Sequence, residues 1–136
     1  MPGAAAVSVG VLLLTHEAMG DALVSAAHHV IGQFPLSLEV LEVGACADPD
    51  RALGDASQRA RHLDQGDGVL VLSDLYGSTP CNIAQRLSGL GFRTHCVSGL
   101  NLPMLLRVLN YPNQDLDQLA QTAASGGRGG ICIDHA

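Results

Sequence analysis

The chain has 136 residues, of which 47% are hydrophobic and 15% charged, with a formal net charge of −6 and seven basic residues that are all arginine. That length suits one domain, and an apolar share this high excludes disorder. An acidic chain without lysine lacks the cationic stripe needed to bind a nucleic-acid backbone or an anionic membrane surface.

The first apolar run, Val7 to Leu14, is short and partly β-branched, and it predicts a buried strand. It is too short to span a bilayer, and Met1-Pro2-Gly3-Ala4 carries none of the positive charge of a secretory leader. Leu23, Ala26, Ala27 and Val30 recur at helical spacing, predicting a helix from about Gly20 to Ile31 that stops at Gly32. From Leu36 to Val43 apolar and polar residues alternate, as in a strand with one face less buried. Asp48 and Pro49 predict a helix start, as cap and first residue, for a helix running to about Leu63.

Gly68 to Ser73 predicts a second fully apolar strand, with Asp74 at its end. Pro80 opens the next predicted helix, which ends near Gly89 and Gly91. Arg93 to Ser98 predicts a fourth strand. Pro103 opens a short helix, and Leu116 to Ala124 predicts another. The run Gly126-Gly127-Arg128-Gly129-Gly130 then reads as a hinge before a short strand, Ile131-Cys132-Ile133.

Strands alternating with helices imply right-handed crossovers and an α/β fold: a mostly parallel open sheet with helices on both faces. The last strand is expected antiparallel at the sheet edge, or exchanged with a second copy. Without repeats or a linker, residues 1–136 read as a single domain. Cys46, Cys81, Cys96 and Cys132 form no C-x-x-C pair, so reduced thiols and a cytoplasmic location are expected.

Ligands of open parallel sheets bind beyond the carboxyl ends of the strands. Three segments stand there: Thr15-His16-Glu17, Asp74-Leu75-Tyr76-Gly77-Ser78-Thr79-Pro80, and Ser98-Gly99-Leu100-Asn101. A neutral imidazole is a nucleophile at physiological pH. A carboxylate bonded to one ring N–H fixes the tautomer and turns the other nitrogen outward, the role suited to Asp74. A turn such as Tyr76 to Thr79 aims amides at an anion, and the helix opened by Pro80 adds its positive end. Gly77, Ser78, Thr79 and the Thr15 hydroxyl are the candidate phosphate ligands. The pattern is not a nucleotide loop, since G-x-x-x-x-G-K is absent. Residue types alone leave His16 open between nucleophile and satisfied strand-end histidine, and Asp74 taken singly reads equally as a turn residue.

Other polar residues suggest less. His28 and His29 diverge by about 100° on a helix, one expected half-buried and the other solvated. His95 and Cys96 are expected in packing, and His62 and His135 have no evident partner. Arg128 reads as a solvated turn or dimer contact. No metal site and no cofactor are expected.

At VGVLLLTH, LSDLYGSTPCNIA and SGLNLPML the sequence resembles the mannose-type enzyme IIA domain of the bacterial sugar phosphotransferase system, over roughly Val7 to Ile133. The family motif D-x-x-G-G-S-P-x-N-x-A is matched at Asp74, Gly77, Pro80, Asn82 and Ala84. A further motif is matched at Gly99, Asn101, Pro103, Met104 and Leu105. The resemblance implies that His16 accepts a phosphoryl group from the phosphocarrier HPr and passes it to a IIB component. It implies that Asp74 orients the ring. Thr79 stands for the family serine, and Ser78 departs from the second glycine. Glu17, where the family often has a small residue, is expected to face solvent.

The resemblance also implies a homodimer, in some members formed by exchanging the last strand. A IIB partner is expected on a separate chain. Three alternatives stay open at this level. One is a regulatory sensor of phosphorylation state without sugar transport. The others are a phosphoryl donor to a dihydroxyacetone kinase and a plain flavodoxin-like binding domain.

Overall fold

The computed structural model describes residues 7–135, so the reading of Met1 to Ala4 lies outside it. In chain order the elements are β1 (Gly10–His16), α1 (Met19–Ile31), β2 (Leu38–Val43), α2 (Pro49–Leu63), β3 (Val69–Ser73), α3 (Thr79–Gly89), β4 (Thr94–Ser98), α4 (Leu102–Leu109) and α5 (Leu116–Gly129). The four strands are all parallel, in the order β2-β1-β3-β4.

Successive side chains of a strand point to opposite faces, so the unbroken apolar runs of β1 and β3 need cover on both sides. Val11 and Leu13 of β1 and Leu70 and Leu72 of β3 pack with Ala27 of α1, Leu105 of α4 and Leu119 of α5. Leu12 and Leu14, with Val69 and Val71, pack on the other face with Ala56 of α2 and Ile83 of α3. β2 lies at the sheet edge, with Leu41 and Val43 buried and its other residues partly so. That matches the alternation of its sequence.

Local signals set most boundaries. Asp48 accepts from the Asp50 amide with Pro49 at the first helical position, the expected cap. Gly32 ends α1 at φ +78°. Asp115 and Gln118 form a reciprocal capping box at the start of α5. Helix α3 starts one residue before Pro80, capped by Ser78.

The glycine run corrects the sequence reading. It is not a hinge: α5 continues through Gly129, and Gly126 and Gly127 are buried. A Cβ on Gly126 would stand 2.6 Å from Arg107 Cβ, and one on Gly127 would stand 2.9 Å from Met104 Cε. These glycines give α5 a flat face that seats on α4, and this contact outweighs their poor helix propensity. The expected strand Ile131-Cys132-Ile133 is not formed either. Among the described residues the segment pairs with no strand and β4 pairs only with β3, and Ile131 and Ile133 are exposed. Among the described residues, no helix is long and apolar enough to cross a membrane.

Candidate functional site

From β1 the chain steps to β2 on one side, then returns to β3 on the other. The strand order therefore reverses between β1 and β3, and the crevice beyond their carboxyl ends is where such sheets bind ligands. His16 ends β1 and Asp74 follows β3. Asp74 Oδ2 lies 2.8 Å from His16 Nδ1 and also accepts the His16 backbone N–H at 3.1 Å. The Asp74 side chain is 6% exposed and that of His16 47%. An ionised carboxylate only accepts, so Nδ1 carries the proton and Nε2 keeps its lone pair. Asp74 Oδ1 and the Ser73 hydroxyl are buried without a hydrogen-bond partner among the described residues.

The loop between β1 and α1 is unusual. Ala18 has φ +69°, the left-handed region, and caps α1 without a side-chain bond. Non-glycine residues there cost about 1–2 kcal/mol. Neighbouring strands satisfy the first amides of α1 instead. Thr15 Oγ1 accepts from Gly20 N–H at 3.0 Å, and Glu42 of β2 accepts from Asp21 N–H at 2.9 Å. Glu17 is exposed, and its carboxylate lies beside Gly44.

The expected phosphate ligands fare differently. Thr15 is fully buried, and its hydroxyl donates to the His16 carbonyl at 2.8 Å. Its proton is committed within the loop. Gly77 is exposed at φ +81° with open space around it. The Ser78 hydroxyl donates to the Leu75 carbonyl at 2.6 Å and accepts from Cys81 N–H at 3.4 Å. Thr79 is exposed at the first position of α3, where an amide has no intrahelical acceptor. Its hydroxyl, like its amide, stands at the exposed amino end of α3. Thr79 therefore offers an incoming anion both an amide and a hydroxyl.

Elsewhere several histidine readings change. His62 pairs with Glu39 at 2.6 Å, and exposed His95 pairs with Asp117 at 2.5 Å rather than packing inside. His28 and His29 are both exposed, His28 stacking on Phe34 at 3.8 Å. The His62 and His95 pairs join residues more than 20 positions apart, and no local spacing signals them. The four cysteines are free. Burial, then the neighbouring Cys81, pushes the Cys96 thiol up to about 11, so it stays protonated at neutral pH.

Comparison with known proteins bears on the fold and the family. The chain is 24% identical over 126 residues to the PTS system mannose-specific EIIAB component of Escherichia coli strain K12, covering 91% of this chain and 39% of that protein. The chain thus spans well under half the length of this curated relative. The mannose/sorbose specific IIA subunit of the phosphotransferase system from Enterococcus faecalis has the same fold, with a TM-score of 0.85 at 22% identity over 95% of this chain and 96% of that one. So does the phosphotransferase system component EIIA from Streptococcus agalactiae, with a TM-score of 0.79 at 21% identity over 92% and 96%. The family described as PTS system fructose IIA component matches residues 10–123, and the chain belongs to this mannose-type family of IIA components of the sugar phosphotransferase system.

Proposed function

We propose that this chain is a phosphoryl carrier, a phosphotransferase with a phosphohistidine intermediate on His16. The observation that carries the reading is the orientation of the imidazole. Nδ1 is held on Asp74 at 2.8 Å, and the half-exposed ring presents Nε2 at the strand-order reversal. The Nε2 lone pair attacks the phosphorus of a phosphohistidine on HPr. A new N–P bond forms as the donor's N–P bond breaks, and that electron pair returns to the donor ring. His16 becomes cationic while keeping its Nδ1 proton, and the buried Asp74 carboxylate stabilises that charge. Thr79, with Gly77 and the amino end of α3, receives the phosphoryl oxygens. Transfer to a IIB component repeats the step in reverse, so positioning does most of the catalysis.

This reading carries a cytoplasmic location and two protein partners, HPr and IIB. It also carries a homodimer, supported by the exposed Ile131 and Ile133 and by the outer edge of β4, which pairs with no strand among the described residues. The test is incubation with enzyme I, HPr and phosphoenolpyruvate, followed by mapping of acid-labile phosphate. The wild-type chain is expected to label on His16. His16→Ala should keep its circular dichroism spectrum and melting temperature, because the side chain is half exposed, yet take up no phosphate. Normal labelling of that variant would overturn the assignment.

A further inference from the structure

We infer that Thr15 is a positioning residue for His16 rather than a phosphate ligand. The inference deepens the phosphoryl-carrier reading and rests on it for its kinetic consequence only. The main chain of His16 is held from both sides. Its N–H donates to Asp74 Oδ2, and its carbonyl accepts from the Thr15 hydroxyl at 2.8 Å. The same hydroxyl oxygen accepts from Gly20 N–H at 3.0 Å. One buried hydroxyl, a single donor with two acceptor lone pairs, thus joins the end of β1 to the start of α1 across the loop that carries the nucleophile.

The surroundings are built around this clasp. A Cβ at Gly20 would stand 2.5 Å from Val40 Cγ1 and 3.0 Å from Thr15 Oγ1, so only glycine lets the helix amide come this close. Between the two clasped points, Ala18 is held left-handed at φ +69°. A strained backbone persists only where its neighbours over-determine it, and the Thr15 hydroxyl bonds on either side of Ala18. With both neighbouring peptides of His16 tethered, the ring can meet Asp74 through Nδ1 while its own amide uses the same carboxylate oxygen. Removing the hydroxyl frees the carbonyl side and leaves His16 held by Asp74 alone.

The experiment compares wild type, Thr15→Val, which keeps shape but no hydroxyl, and Thr15→Ser, which keeps the hydroxyl. Ring-nitrogen NMR of the unphosphorylated protein reads the His16 tautomer, and amide exchange reads the His16 N–H, with the Leu13 amide as internal reference. Thr15→Val should lose the Nδ1–H bias and speed His16 exchange about tenfold or more, leaving Leu13 unchanged. Phosphoryl uptake from phospho-HPr should slow about tenfold to a hundredfold in kcat with little change in KM. Thr15→Ser should restore all three.

Slower uptake with tautomer and exchange intact would make Thr15 a phosphate ligand and overturn the inference. Equal loosening at Leu13, or a serine variant as impaired as the valine one, would reduce it to packing. The NMR measurements need no phosphate donor. Failure of wild type to accept phosphate would therefore count against the carrier reading, and an unaltered His16 tautomer against the role of Thr15.

Discussion

The two ends of the sheet use the same residue types for opposite purposes. At the amino end, a Cβ on Gly10 would stand 2.7 Å from Leu63 Cβ, and one on Gly68, at φ +87°, 2.8 Å from the Arg93 carbonyl oxygen. At the carboxyl end Gly77 and Gly99 also have positive φ, but nothing lies within 4 Å of where their Cβ atoms would be. The carboxylates differ likewise. Asp64 accepts the amides of Gly66 and Gly68, and Asp67 accepts that of Ser8. Asp64 closes its own turn, and Asp67 ties that turn to the residues before β1. Asp74 reaches across to another strand and leaves one buried oxygen without a partner. Gly10 and Gly68 are packed against the backbone that leads into the strands, whereas Gly77 and Gly99 leave open backbone at the carboxyl end.

Substitutions can break this contrast. Gly68→Ala adds a left-handed penalty to a backbone clash and should destabilise the protein by about 3 kcal/mol. Gly77→Ala carries the backbone penalty alone, about 1 kcal/mol. Denaturant midpoints of the pair measure the difference, and equal losses would mean that the two ends are packed alike. Asp74→Asn tests the open end in rate. An amide can donate to Nδ1 and so favour the wrong tautomer, and phosphoryl uptake in a rapid-quench assay should fall roughly a hundredfold. An unchanged rate would remove Asp74 from the chemistry. The smallest effect is expected at Ala18. Ala18→Gly relieves the left-handed strain at a helix cap that tolerates glycine, raising stability by up to about 1 kcal/mol. A lower melting temperature would show that Ala18 is not strained.

Much of this was legible in the sequence because it rests on local rules. Two strands apolar throughout announced a sheet covered on both sides, and Asp48-Pro49 announced a helix start. His16 and Asp74 stood out because each ends such a strand. What could not be read depended on partners remote in sequence. The Gly126 to Gly130 run reads as a hinge until Arg107 and Met104 are seen against it. The partners of His62 and His95 lie on other elements. Nor does the sequence show that Thr15 is buried, with its hydroxyl bonded to two backbone groups.

By itself, then, the sequence determined the class of fold, the order of its elements through α5 and the candidacy of His16 and Asp74. Hydrophobic period, helix caps and strand ends are properties of neighbouring residues, and the chain carries them wherever it folds. Only the tertiary structure decided which nitrogen of His16 faces outward, which hydroxyls are free and how the glycine-rich end of α5 packs. Each of those depends on where a remote backbone group comes to rest, and a hydroxyl or an imidazole has no preferred partner until that group is in place.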